Sequence, residues 1–333
     1  MGSSSAFEQF NYILATLRMK QLDDTILVQP HDFPDHDAVA SAFGLGRLLE
    51  RLGFKVRLVH RYPIRSHSLT AMIRDLHIPI QRVDELLPTD FINDPCIIVD
   101  GSPNNANAHP ITSNVIAVID HHVNPGELEV PFVDIRTSYG ACSSIIADYW
   151  QEAELIPDRA TATALLMGIQ IDTDFLSRRV SPADLNAHHR LFFQADWQFG
   201  TQVVKASLSI KDLEAFHFAT DHYLTQGNLF FTMLPTDCTQ ELISILADFF
   251  LRLREILVTV IVEAGGDRYH VSVRSRSPDI SAATVVRLAL AGIGEGGGHD
   301  HMAGGFIHAS AHIDEQALFR RFIKAMETAQ ENQ

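Results

Sequence analysis

The chain has 333 residues, 46% of them hydrophobic and 20% charged, which is enough to build the cores of two domains. Its 26 basic against 41 acidic residues give a formal net charge of −15, which argues against a long electropositive groove for extended nucleic acid. Three scattered cysteines, Cys96, Cys142 and Cys238, argue against a disulfide framework or a CxxC zinc site and read as small buried side chains. The N-terminal MGSSSAFEQF shows no leader pattern and no apolar run reaches membrane-spanning length, so a cytoplasmic protein without membrane contact is expected.

In chain order, TILVQP at 25–30 reads as a buried strand and leads directly into HDFPDHD at 31–37. That stretch holds His31, Asp32, Asp35, His36 and Asp37, more polar groups than a turn needs. On its own it is either a helix cap or a cation site. AVASAFGLGRLLERLG (38–53) has helical spacing, with Asp35 or Asp37 as its cap and Gly53 as its end. KVRLVHR (55–61), CIIVD (96–100) and VIAVID (115–120) read as further strands, and 140–153 and 159–173 as helices. Alternating strands and helices predict an α/β domain with a mostly parallel sheet, whose ligands gather beyond the C-terminal strand ends. Residues 181–225 read as connector helices, and a second unit starts near 227. It combines helices at about 239–254 and 280–291 with strands at 255–266 and 268–276. The glycine-rich GIGEGGGHDHMAGGFIH (292–308) follows, then a helix near 314–330.

Three strand ends send acids or imidazoles to one edge: HDFPDHD after 25–30, Asp100 at the end of CIIVD, and Asp120-His121-His122 after VIAVID. GIQIDTDFLS (168–177) adds Asp172. Carboxylates and neutral imidazoles suit borderline divalent ions such as Mn²⁺. Asp35, Asp37, Asp100 and Asp172 could not stay ionised together without cations, and one of them bridging two ions gives the arrangement used for in-line phosphoryl chemistry. Asp32 and His36 read as solvent-facing bystanders, His188 and His189 as surface residues, and His301 as a solvated loop residue. Asp174 reads as a helix cap or an outer neighbour of the site, and Tyr139–Ser144 mainly as a helix start.

HDFPDHD, VDGS (99–102), DHH (120–122) and GIQIDTD (168–174) resemble, in order, the four metal-binding motifs of the DHH phosphoesterase superfamily. VSVRSR (271–276) followed by GEGGGHDHMAGG (294–305) resembles the glycine-rich signature of the DHH-associated C-terminal domain of nanoRNases, pAp phosphatases and RecJ-like exonucleases. The resemblance covers nearly the whole chain. It implies a mostly parallel-sheet DHH catalytic domain at 1–190, a helical connector at 191–226 and a smaller α/β substrate-binding domain at 227–333, with the active site in the cleft between lobes.

The same resemblance implies two Mn²⁺ ions, with Mg²⁺ or Co²⁺ as substitutes. His31 and Asp35 would hold one ion and Asp37, His121 and Asp172 the other, with Asp100 bridging. His122 would lie beside the scissile phosphate, and Asp120 would orient the histidines. Arg274, Ser275, His299 and the glycines Gly296, Gly297 and Gly298 would contact the substrate's terminal phosphate or far nucleotide, the glycine amides forming an anion-binding concavity. The implied activity is hydrolysis of short oligoribonucleotides by metal-activated water. Favoured substrates would be 5′-phosphorylated dinucleotides such as pGpG or pApA, the products of cyclic dinucleotide breakdown. A pAp phosphatase and a nucleotide-binding regulator without turnover are the alternatives. The partner would be short RNA or a linear dinucleotide, not long duplex and not membrane, with homodimerisation left open. The chain departs from the family pattern at Ala40, where a glycine is frequent, and at Glu295, which adds a negative charge beside the expected phosphate pocket.

Overall fold

Every side chain of Ile26–Pro30 is buried, as a central parallel strand covered on both faces requires. The computed structural model describes residues 5–19, 25–64, 66–86, 93–104, 108–124, 126–235, 238–264, 268–308 and 314–331. The chain divides into two units, Met1–Ser207 and Leu208–Gln333.

The first unit runs α1 (Ala6–Met19), β1 (Ile26–Pro30), α2 (His36–Arg51), β2 (Val56–His60), α3 (His67–Asp75) and β3 (Ile80–Arg82). It continues with β4 (Cys96–Val99), β5 (Val115–Asp120), β6 (Phe132–Ile135), α4 (Cys142–Glu152), α5 (Arg159–Asp172), α6 (Pro182–Phe192) and α7 (Trp197–Lys205). The six strands are parallel in the order β3-β2-β1-β4-β5-β6, and Val28 of β1 sits level with Leu58 on one side and Ile97 on the other. This is the doubly wound order. The winding direction reverses between β1 and β4, so the loops leaving those two strands diverge and open a crevice at the sheet's C-terminal edge.

Side-chain alternation splits the core. Ile26, Val28, Ile97, Val99 and Ile119 pack with helix residues such as Val39, Phe43, Ile145 and Leu165, while Leu27, Val59, Ile98 and Val118 pack with Ala108 and the segments around it. Two glycines set how closely the helices approach. A Cβ on Gly44 of α2 would lie 2.7 Å from Leu165 Cδ2, and one on Gly168 of α5 would collide with Ser143 Oγ and lie 2.9 Å from Asp37 Oδ1. Trp150 of α4 donates its indole N–H to the Gly44 carbonyl at 3.0 Å, locking α4 to α2.

The second unit runs α8 (Leu213–Asp221), β7 (Leu224–Gln226), β8 (Leu229–Leu234), α9 (Gln240–Phe250), β9 (Val258–Ala264) and β10 (Arg268–Ser275). It ends with α10 (Ala282–Leu290), β11 (Gly294–Gly298), β12 (Met302–His308) and α11 (Glu315–Glu331). Its strands are ordered β11-β12-β10-β9-β8-β7, with β8 and β9 parallel and the other neighbours antiparallel. Val258, Val260 and Val262 join the α10 and α11 cluster, while Ile261 joins the α8 and α9 cluster, so the sheet is covered on both faces.

The α/β class and the parallel sheet match the expectation from sequence, and Gly53, at φ +88, follows the end of α2 as expected. The glycine-rich run is largely a β-hairpin, β11 paired to β12. The connector expected at 191–226 is shared out: α7 packs on α5 in the first unit and α8 on β8 in the second. Residues 265–266 of one expected strand lie outside the described residues. Cys96 and Cys142 are buried and Cys238 is half-buried, and none of the three is in a disulfide. Among the described residues no helix is long and apolar enough to cross a membrane.

Gly168 sits where α5, α4 and the carboxylate of Asp37 meet, so Gly168→Ala should cost about 1–3 kcal/mol by overpacking. Thermal unfolding should show a midpoint lowered by roughly 2–10 °C, and titration with a divalent cation should show weakened binding.

Candidate metal centre

The site assembles where strands stop and helices start. Asp35 is the N-cap of α2, with φ −101 and its Oδ1 accepting from Ala38 N at 3.0 Å, which is the ordinary reason for an aspartate before a helix. Asp37 lies in the first turn of α2 and is buried, but it serves another helix. Its Oδ2 accepts from Cys142 N at 2.6 Å and its Oδ1 from Ser143 N at 2.8 Å. These are first-turn amides of α4, whose own N-cap residue, Ala141, makes no side-chain cap bond. The carboxylate thus meets the positive end of the α4 dipole through two charge-assisted hydrogen bonds.

Asp100 is the first residue past β4 and has φ +53, a left-handed backbone that a non-glycine residue adopts at a cost of about 1–2 kcal/mol. That conformation carries its buried carboxylate into the site. Past β5, Asp120 Oδ1 accepts from His121 N at 2.7 Å, His122 N at 3.1 Å and His122 Nδ1 at 2.8 Å. His121 Nδ1 donates to the Tyr139 carbonyl at 3.2 Å, which fixes the tautomer and leaves Nε2 as a bare donor atom. Asp172 ends α5.

The donor atoms fall into overlapping sets. Those of His31, Asp35 and Asp100 lie within 4.8 Å of one another, as do those of Asp37, His121 and Asp172, and those of Asp100, His121 and His122. Asp100 faces two ways: its Oδ2 is 3.7 Å from His31 Nε2 and its Oδ1 is 3.3 Å from His121 Nε2, which is itself 3.3 Å from Asp172 Oδ2. Asp100 Oδ1 and His121 Nε2 are both buried, and neither has a hydrogen-bond partner among the described residues. Two buried acceptors facing each other without a proton between them are costly. A cation shared by them removes that cost, and the oxygen and imidazole donors suit a divalent ion.

Charge crowding shows in the acidities. Burial, reinforced by the neighbouring Asp37 charge, pushes Asp100 well above the usual carboxylate range. Burial likewise raises Asp37, although the His121 imidazole opposes it. Asp172 is pushed up to about 6 by burial, with His121 opposing and Asp37 and Asp35 adding to the rise. Burial lowers His31 and so favours its neutral, donor form. Burial also works against a charge on His122, but the hydrogen bond to Asp120 and the charge of Asp100 outweigh it and raise its basicity.

The six residues expected to hold metals are therefore brought together, with His122 and Asp120 against them. Two residues read as bystanders are not solvent-facing. Asp32 is buried, accepting from His109 Nδ1 at 2.5 Å and lying 3.4 Å from Arg61 Nε, and His36 is buried with its Nε2 2.9 Å from Ser68 Oγ. Their partners are remote in sequence, and no local pattern marks them. Asp174 is exposed, has φ +45 and accepts from Ser177 Oγ.

The expected substrate residues lie in the second unit. Arg274 is buried, with Nε donating to Asp248 Oδ1 at 2.9 Å and NH1 to Ser272 Oγ at 3.0 Å. Ser275 is buried, its Oγ accepting from Ser277 N. Gly296 is required by packing, since a Cβ there would lie 2.9 Å from Val286 Cγ2 of α10, and Gly298 has φ +139. Gly297 faces open space. The His299 and Asp300 carbonyls accept from Ala283 N and Ala282 N, satisfying first-turn amides of α10.

Two adjoining His/Asp sets thus lie at the switch point of a doubly wound parallel sheet. The model of the DHH family, N-terminal domain, matches residues 25–169 and that of the DHHA1 domain matches residues 226–331, and the chain belongs to the DHH family. It is 29% identical over 280 residues to the uncharacterized protein MJ1633 of Methanocaldococcus jannaschii, covering 84% of this chain and 57% of that protein. The uncharacterized protein MJ0988 of the same organism is 28% identical over 159 residues, 46% of each. The chain thus spans about half the length of the curated relatives it matches. Among solved structures, an exopolyphosphatase-related protein of Bacteroides fragilis superposes with TM-score 0.79 at 15% identity, covering 97% of both chains. RecJ of Thermus thermophilus, in complex with Mn²⁺, gives TM-score 0.55 at 15% identity over 98% of this chain and 55% of that one. At these identities the two structures share the fold.

Asp172 is raised from 3.8 to about 6, so its contribution to metal-free stability is full below 3.8 and lost as pH rises through about 6. Cations must displace such protons to bind. The thermal shift given by Mn²⁺ or Mg²⁺ should therefore be larger near pH 7.5 than near pH 5. Equal shifts at both pH values would remove these carboxylates from cation binding.

Proposed function

We propose that this chain is a divalent-cation-dependent phosphodiesterase that cleaves short oligoribonucleotides to mononucleotides. Mn²⁺ would be the preferred ion and 5′-phosphorylated dinucleotides such as pGpG or pApA the preferred substrates. The observation that carries the reading is Asp100, whose two carboxylate oxygens face different His/Asp sets. Two divalent cations bound there would supply charge stabilisation at phosphorus and an activated water for in-line attack.

The chain's own residues do the rest. His31, Asp35 and Asp100 would hold one ion, and Asp37, His121 and Asp172 the other. Asp120 fixes the His122 ring through Nδ1, so that its Nε2 can hold a proton against a phosphoryl oxygen. In the second unit, Arg274, Ser275, His299 and Gly296–Gly298 would bind the terminal phosphate. Gly297, with open space above its Cα, is where a phosphate oxygen could approach the backbone. A net charge of −15 favours a short substrate over a long strand.

Asn tolerates the left-handed backbone of Asp100, so Asp100→Asn should fold normally and lose at least about a hundredfold in Mn²⁺-dependent turnover. Retained activity would sink the bridging role. A turnover panel of pGpG, pApA, longer RNA, pAp and pyrophosphate with Mn²⁺ tests the substrate class, and dinucleotides should be hydrolysed fastest. In the same panel His299→Ala should raise KM for dinucleotides several-fold, while an unchanged KM would put the terminal-phosphate contact elsewhere.

A further inference from the structure

We propose that Phe33 and Tyr62 form a stacking platform for a nucleobase beside the metal centre, an inference that deepens the phosphodiesterase reading and rests on it. Phe33 is 65% exposed and Tyr62 is 41% exposed, yet their rings are stacked, with centroids 4.8 Å apart and planes 16° from parallel. Among the described residues, neither ring joins a hydrophobic cluster of the fold. Large aromatic rings are normally enriched in cores or at binding surfaces, and this pair has no core to serve.

Its position ties it to the chemistry. Phe33 lies between His31 and Asp35, two members of one His/Asp set. Two residues span at most about 7 Å, so Phe33 stays at the rim of that set. Tyr62 follows β2, which pairs directly with β1, so both aromatics leave neighbouring strand ends at the same edge of the sheet.

The backbones carrying the two rings are pinned on both sides. Buried Asp32 accepts from His109 Nδ1 and pairs with Arg61, whose NH2 donates to the His109 and Pro110 carbonyls. His60 Nδ1 donates to the Tyr62 carbonyl at 2.8 Å, and Pro34, next to Phe33 in the chain, is buried. The Asp32–Arg61–His109 network thus has a purpose the cation sets do not supply: it braces an exposed aromatic surface in advance of binding. Every nucleobase has a π-face, so such a surface binds bases with little sequence preference and gives nothing to pyrophosphate or polyphosphate. The ligand class is a nucleotide whose base lies next to the phosphate being cleaved.

The test uses the full chain with a divalent cation and a dinucleotide containing 2-aminopurine, whose fluorescence is quenched by stacking. The wild type should quench it. Phe33→Ala and Tyr62→Ala should raise Kd and KM about tenfold or more, with the loss in KM rather than kcat, while Phe33→Tyr and Tyr62→Phe should restore the wild-type values. Unaltered quenching and KM in both alanine variants would overturn the platform, as would a loss confined to kcat. If the wild type quenches but hydrolyses no dinucleotide, and Phe33→Ala abolishes the quench, the platform stands and the phosphodiesterase reading falls. If dinucleotides are hydrolysed and the alanine variants behave as wild type, the platform falls and that reading stands.

Discussion

Asp37, Asp100 and Asp172 are carried into one largely buried space, and among the described residues no Lys or Arg side chain forms an ion pair with them. Removing carboxylates from water is expensive, and placing them side by side is more so. Much of the first unit is arranged around that cost. The doubly wound sheet delivers the loops of β1, β4 and β5 to one edge, α5 brings Asp172 from another direction, and Asp100 accepts a left-handed backbone to face both sets. The fold supplies partial relief through amides and imidazoles and leaves Asp100 Oδ1 without a hydrogen-bond partner among the described residues.

The partial relief is directional. Helix N-termini meet Asp35 and Asp37, each carboxylate offering some lone pairs to amides and retaining others. Asp120 gathers two backbone amides and an imidazole N–H on a single oxygen, and so shapes the site through the orientation of its neighbours. Tyr139 does the same for His121 with a backbone carbonyl, which any residue at that position could supply. The outer groups decide which nitrogen or oxygen remains bare, and those bare atoms define the centre.

The first unit was legible in sequence because its signal is local. Strands of β-branched residues end abruptly at Pro30, Val99 and Asp120 with Asp or His at or just past the end, and the sheet puts successive strand ends on one edge. Short edge strands such as Ile80–Arg82 and Phe132–Ile135 left too few residues for periodicity to register, and α1 and α3 are marked by Ser5 (with Glu8) and Ser66 caps that apolar periodicity alone passes over. The glycines at 294–298 hid a strand for a physical reason. Without side chains they carry no strand pattern, yet a missing Cβ at Gly296 is what lets α10 pack on the hairpin. Asp32 and His36 were missed because burial comes from partners remote along the chain, His109, Arg61 and Ser68, which no short motif reveals.

Asp37 stands at the junction of the cation site and α4. Its carboxylate accepts from the amides of Cys142 and Ser143, and the helix that those amides open runs on past Trp150. Of the chain's two tryptophans, Trp150 is the buried one, with its indole N–H fastened to α2 at Gly44. The helix therefore joins a carboxylate of the candidate centre, held at its first turn, to a buried indole near its last.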